Sequence, residues 1–158
     1  MGDVIHAVPG SSLHRRATSR LRRRRDDRWI ATTAMVSAML ALPLAQSSWH
    51  GPEVAAVLAI AATALFAGQR WAIAVIVIAE LMLLPTIGPR AFLPDGELVT
   101  RLAALGSLIA IVPGVLAMRR AAAALVLVTG QRRTQQTCRR FHLALVASAV
   151  IATFLPLL

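Results

Sequence analysis

The sequence predicts an all-α integral membrane protein, a bundle of about five transmembrane helices, and three observations lead to this prediction. Of its 158 residues 57% are hydrophobic but only 4% are aromatic, whereas soluble domains are about 45–50% apolar. The apolar excess is therefore aliphatic, as on helices that face lipid. The apolar stretches are long enough to cross a hydrocarbon layer of about 30 Å. Between these stretches, arginine-rich segments alternate with segments that have almost no arginine, and this alternation is typical of membrane proteins.

The chain divides into a basic N-terminal tail, residues 1–28, and a transmembrane helical domain, residues 29–158. The tail contains eight arginines, and we expect it to lie in the cytoplasm. The first span is predicted at about 30–46. Trp29 and Trp49 bracket this span, and indole side chains favour the two membrane interfaces.

The second and third spans are predicted at about 53–68 and 71–87. Very few residues separate them, and Gly68 suits a tight turn, so the two spans are expected to form an antiparallel hairpin. The segment 85–96 follows and is expected to be an irregular outer loop, because it contains three prolines and two glycines. In this loop Asp95 is expected to cap the fourth span.

The fourth span is predicted at about 98–118, with Glu97 in its first turn. Residues 121–129 are apolar but too short to cross a bilayer, so we interpret them as an interfacial or re-entrant helix. A polar inner loop, 131–140, leads to the fifth span at about 141–158.

Arginine counts set the predicted orientation. With the N-terminus in the cytoplasm and the C-terminus outside, fifteen of the seventeen arginines lie on the inner side. Only Arg90 and Arg101 then lie outside. Because positive charge is retained in cytoplasmic loops, the opposite orientation is disfavoured. The predicted location is therefore the cell inner membrane, which the chain crosses several times.

Glu80 is the intramembrane ionisable candidate, because the third span places it near the middle of the bilayer. An ionisable group at that depth is costly and suggests a function. Glu80 could carry a proton, hold a cation or pair with an arginine of a partner subunit. The alternative is a structural role, with a protonated Glu80 hydrogen-bonded to Thr63, Ser107 or Ser148.

Three further groups of residues are candidates for contacts. Charged side chains of the outer loop could contribute to an active site shared with another chain: Arg90, Asp95 and Glu97. Small residues at four-residue spacing suit close helix packing, against this chain or a neighbour: Gly106, Ala110 and Gly114. Basic residues of the inner surface are expected to bind anionic lipid or dock an acidic partner: Arg22, Arg23, Arg24, Arg25, Arg119, Arg120, Arg132, Arg133, Arg139 and Arg140.

Other chemistry is not indicated. The single cysteine, Cys138, excludes a disulfide framework. His50 and His142 lie at opposite ends of the predicted bundle, so they cannot share a metal, and we expect neither a metal nor another cofactor. The arginines are not interleaved with stacking aromatic residues, so nucleic acid is not an expected partner.

Three functions are compatible with these features. The preferred hypothesis is an accessory or scaffolding subunit of a larger membrane complex, without enzymatic activity of its own. Its expected partners are the anionic inner leaflet of the bilayer and other membrane subunits. The alternatives are an ion- or proton-coupled transporter component that uses Glu80, and a non-catalytic subunit of a membrane enzyme.

Overall fold

The computed structural model of the protein describes residues 10–45, 51–92 and 97–154, and within these ranges the fold is all-α, with six helices and no strand. This confirms the all-α part of the predicted fold class. The helices are α1 (Gly10–Ala45), α2 (Gly51–Phe66), α3 (Ala72–Phe92), α4 (Leu98–Leu116), α5 (Met118–Val128) and α6 (Gln135–Phe154).

Helix α3 is the centre of the fold, because it packs against each of the other five helices. Its buried residues are mostly aliphatic and include Ile76, Leu83 and Ile87, each no more than 1% exposed. The helices around α3 contribute many buried alanines. Small side chains on neighbouring helices let the backbones approach closely, which suits the packing of helices in lipid.

Helices α1 and α4 run antiparallel. Ser37 contacts Ser107 midway along the pair, and Asp27 contacts Arg120 just beyond the end of α4. A rise in residue number along α1 thus matches a fall along α4. Both contacts therefore show that the first and fourth predicted spans lie side by side and run in opposite directions.

The predicted tight turn between α2 and α3 is confirmed, and Gly68 forms it. Gly68 has φ +87°, a conformation that glycine adopts without steric cost. Its N–H donates to the Leu65 carbonyl, and the N–H of Gln69 donates to the Ala64 carbonyl. These two bonds form a Schellman motif, which satisfies carbonyls at the end of α2.

The expectation that residues 85–96 lack regular structure is wrong for their first part, because α3 continues to Phe92 through two prolines. Each proline removes one helical hydrogen bond and crowds the preceding turn. Packing offsets this cost, since Ile87 and Ala91 are both buried. The guanidinium of Arg90 also donates to the Leu44 carbonyl, which ties the last turn of α3 to the end of α1.

The second half of the predicted inner loop 131–140 is also helical, because α6 begins at Gln135. The signal for this start is a capping threonine. The side-chain oxygen of Thr134 accepts a hydrogen bond from the N–H of Thr137 at 3.1 Å, as an N-cap residue does. The loop between α5 and α6 is therefore short, and residues 155–158 at the end of the predicted fifth span lie outside the described residues.

The apolar segment predicted at 121–129 is a separate helix, α5. A turn at Ala117 separates it from α4, and α5 then packs mainly against α3 and α6. Gly130, with φ +67°, follows the end of α5, as expected of a glycine after a helix. At eleven residues the helix is about 16 Å long, too short to cross a bilayer.

Helix α1 includes most of the predicted basic tail, because it begins at Gly10 and continues unbroken to Ala45. Its 36 residues give a length of about 54 Å, well above the thickness of the hydrocarbon layer. Residues 10–28 of the predicted tail and most of the first predicted span thus form one continuous helix.

Two of the described helices, α3 and α4, are long and apolar enough to cross a membrane. Helix α2 is apolar but shorter. In the most apolar stretch of α4 only 28% of the residues are buried inside the protein. Large aliphatic side chains on α4 are largely exposed, among them Leu98, Ile109 and Leu116, each more than 70% exposed. Apolar surface of this extent is unusual for a soluble monomer.

Candidate functional site: a buried glutamate on the central helix

Glu80 lies in the first half of α3, nine residues after Trp71, and its side chain is fully buried. Leu81 and Ala79, its neighbours in sequence, are buried as well. The surrounding helix consists almost wholly of aliphatic residues. The structure therefore places the one acidic residue of this helix in the interior of the bundle.

Neither carboxyl oxygen of Glu80 has a hydrogen-bond partner among the described residues. The three partners proposed for a structural role are oriented elsewhere. Thr63 donates to the carbonyl of Ile60, Ser107 contacts Ser37, and Ser148 is exposed on α6. The expectation that one of these hydroxyls binds Glu80 is therefore wrong.

The carboxyl group instead lies against the backbone of Gly114 on α4. A Cβ atom added at Gly114 would overlap the carboxyl carbon and both carboxyl oxygens of Glu80. Pro113 precedes this glycine, and a proline leaves the carbonyl four residues earlier without its helical donor. Glu80 thus fills the space beside Gly114 in the last turn of α4, shortly before the chain turns at Ala117.

The glycines of the small-residue stripe on α4 face helices of the same chain. A Cβ atom at Gly106 would lie 3.1 Å from the Leu40 side chain on α1, and Gly114 faces Glu80. Ala110, between them, is 8% exposed. The sequence left open whether this stripe contacts the chain itself or a neighbour, and the two glycine contacts answer that question for α4.

A hydrogen bond that the sequence did not predict crosses the same interface. The hydroxyl oxygens of Ser37 and Ser107 are 3.2 Å apart, and both side chains are fully buried. Serine is common on polar surfaces too, so composition alone did not distinguish this pair. The matching depth of the two residues in the first and fourth spans was the only available signal.

The structure describes two of the three charged candidates of the outer loop. Arg90 lies in the last turn of α3 and donates to the Leu44 carbonyl, Asp95 lies outside the described residues, and Glu97 is exposed. Glu97 is the N-cap residue of α4 and makes no side-chain capping bond. It therefore precedes the first helical turn in which the sequence analysis placed it.

The basic candidates separate into two groups. The contact between Asp27 and Arg120 brings the arginines 22–25 of α1 close to Arg119 and Arg120, just after the end of α4. These arginines form the first group, and all of them except Arg120 are exposed. The second group lies in the loop before α6 and in the first turns of α6, and α6 packs against neither α1 nor α4 within the described ranges. The exposed arginines of the first group are Arg22, Arg23, Arg24, Arg25 and Arg119, and those of the second are Arg132, Arg133, Arg139 and Arg140.

One further buried polar atom has no partner among the described residues, the Nδ1 atom of His142 on α6. Among the residues that the structure describes, no three histidine, cysteine, aspartate or glutamate side chains come close enough to hold a metal ion. Comparison with models of protein families, with curated proteins and with solved structures finds no match to this chain.

Proposed function

We propose that the protein is a multi-pass inner-membrane protein that acts as an accessory or scaffolding subunit of a larger membrane complex. In this proposal α1, α2, α3, α4 and α6 cross the bilayer, with the N-terminus in the cytoplasm, and the chain has no catalytic activity of its own. The observation that carries the proposal is the uncovered face of α6, on which two small residues one turn apart are exposed.

Helix α6 has the least cover from the rest of the protein. Leu145 is its only described residue that is buried, while Leu143, Val150 and Ile151 are each more than half exposed. Lipid alone satisfies such a surface. A second feature of this helix favours a protein neighbour over lipid.

That feature is a pair of exposed small residues one turn apart, Ala144 and Ser148. On α4, small residues at the same spacing contact helices of this chain. On α6 they are exposed. Small residues at four-residue spacing allow two membrane helices to approach closely, and a serine hydroxyl can hydrogen-bond across the interface. A transmembrane helix of another subunit fits this face.

The test is to replace a small residue of this face with a larger one that is also apolar. In Ala144→Leu, the larger side chain keeps a neighbouring helix away, so the protein should insert normally but lose its partner on affinity purification from native membranes in mild detergent. The matched control is Ala56→Leu, since Ala56 is exposed on α2. Retention of every partner by Ala144→Leu, or equal loss from both variants, would contradict the proposal.

A specific observation supports a second candidate, a component of a proton- or ion-coupled transporter. Glu80 is fully buried on the central helix, and neither of its oxygens has a described partner. A carboxyl group held in this way can bind or release a proton when a neighbouring helix moves. Acidic groups within membrane spans commonly belong to ion pathways or proton relays.

The two candidates differ in what Glu80→Gln does. The amide keeps the shape of the side chain but cannot release a proton. For a transporter, proton flux into liposomes that contain the purified protein or complex should fall to background, while assembly is unchanged. Glu53→Gln is the control, because Glu53 is an exposed acid at the start of α2. Unchanged flux in Glu80→Gln would eliminate the transporter hypothesis and leave the accessory subunit.

A further inference from the structure

A groove of about 390 Å³ lies between the first and fourth helices, within the size range of small-molecule sites. Its walls are mostly apolar, but its end toward the N-terminal half of α1 is charged. Trp29, at 63% exposed, stands beside this end, whereas Ile30 is almost fully buried. The residues that line the groove are Arg25, Asp26, Trp29, Ile30, Pro113 and Leu116.

The protein surface around the charged end is strongly basic. The segments 22–28 and 119–120 lie at this end of the groove, and together they contain seven arginines but only two aspartates. One of these aspartates, Asp27, pairs with Arg120 and so neutralises one of the seven. The remaining arginines include Arg22, which precedes Arg25 by three residues and so lies on the same face of α1. Two guanidinium groups can therefore approach one anion at this end of the groove.

We propose that this groove binds one anionic phospholipid of the cytoplasmic leaflet. The headgroup phosphate lies against Arg22 and Arg25, because guanidinium groups bind phosphate oxygens with strong, charge-assisted hydrogen bonds. An acyl chain lies along Ile30, Pro113 and Leu116. Trp29 marks the boundary between headgroup and hydrocarbon, the depth that indole rings prefer.

The choice of an anionic lipid follows from the charge balance. Asp26 at the groove could accept a hydrogen bond from the ammonium of phosphatidylethanolamine. However, four exposed arginines precede Asp26 directly and one exposed arginine follows at position 28, so the local potential is positive. A headgroup with net negative charge is favoured in this potential.

This inference rests on the proposed membrane location, and fluorescence quenching tests the two separately. In a variant with Trp49→Phe and Trp71→Phe, Trp29 is the only tryptophan. The protein is reconstituted in phosphatidylcholine vesicles that contain brominated phosphatidylglycerol, brominated phosphatidylethanolamine or brominated phosphatidylcholine. Bromine quenches an indole only at close range, so the degree of quenching reports which lipid lies beside Trp29.

We expect brominated phosphatidylglycerol to quench Trp29 more strongly than its share of the bilayer predicts. Arg22→Gln with Arg25→Gln should weaken this preference by about fivefold for each charge removed. Arg139→Gln with Arg140→Gln is the matched control, because it removes two exposed arginines far from the groove and should leave the preference unchanged. In a second reporter variant Trp71 is the only tryptophan, and the quenching of Trp71 should follow the bulk lipid composition.

Three other results would overturn the inference. Equal quenching of Trp29 by all three brominated lipids shows a membrane protein without this site. Stronger quenching by phosphatidylethanolamine than by phosphatidylglycerol shows that Asp26, and not the arginines, selects the lipid. If no brominated lipid quenches either reporter, the membrane location fails, and the lipid site fails with it.

Discussion

Glu80 and Gly114 are complementary in shape, since the carboxyl group of one occupies the space in which the other lacks a side chain. The contact joins the central helix to α4 three residues before the chain turns at Ala117. An apolar side chain at position 80 could fill the same space without the cost of burying a polar group. Packing alone therefore does not explain why a glutamate, and not an apolar residue, lies against Gly114.

Gly114→Ala should destabilise the protein by about 1–3 kcal/mol, because the new methyl group overlaps the Glu80 carboxyl and overpacked interiors cost this much. Thermal unfolding in detergent measures the effect. In a Glu80→Ala background the overlap disappears, so Gly114→Ala should cost clearly less there. An equal cost in both backgrounds would show that the two residues are not in contact.

Two other glycines provide controls for the same substitution. A methyl group at Gly106 meets only the end of the Leu40 side chain, which can move, and one at Gly88 meets nothing within 4 Å. We expect the loss of stability to fall in the order Gly114→Ala, Gly106→Ala, Gly88→Ala. Gly88→Ala should be neutral or slightly stabilising, since alanine is the better helix former. Any other order would contradict the packing of α4 described above.

Ser37→Ala should cost about 0.6 kcal/mol, the average found for hydrogen bonds between membrane helices. The double variant with Ser107→Ala should cost little more than either single change, because both substitutions remove the same bond. Ser148→Ala is the control, since Ser148 is exposed. Losses that simply add in the double variant would show that the two hydroxyls do not interact. The measurement is a double-mutant cycle on the free energy of unfolding.

The pair of Asp27 and Arg120 should contribute at most about 1 kcal/mol, because the side chains are 24% and 28% exposed and water screens such pairs. Asp27→Asn should reduce the free energy of unfolding by this amount at low salt and by less at high salt. The exchange Asp27→Arg with Arg120→Asp should restore part of the loss. An exchange that is as unstable as either single change would refute the pairing.

The predicted orientation is tested with Cys138, the single cysteine of the chain. In sealed cells a membrane-impermeant maleimide should not label it, while labelling should appear after the membrane is permeabilised. Asp95→Cys in a Cys138→Ser background is the matched control and should react in sealed cells. Because fifteen of seventeen arginines are assigned to the inner side, the opposite pattern of labelling would invert the topology.

Hydrophobic patterning was enough to predict the helical class and the approximate position of each apolar helix, because these depend on runs of neighbouring residues. Helix ends were predicted less well. Pro85 and Pro89 indicate a loop by local preference, yet α3 continues through both, since Ile87 and Ala91 are buried against other helices. The start of α6 was detectable locally, because Thr134 has a side chain suited to capping, but the polar residues after it obscured this signal.

The sequence by itself determined that the chain is all-α, that its helices are aliphatic and that positive charge is concentrated in particular connections. It also singled out Glu80, because one acid among aliphatic residues is visible without coordinates. Only the tertiary structure decided that Glu80 faces Gly114 and not a hydroxyl group, and that the stripe on α4 packs within the chain while the small residues of α6 stay exposed. The physical reason is that which side chains meet depends on the rotation and depth of each helix relative to its neighbours, and hydropathy does not specify either.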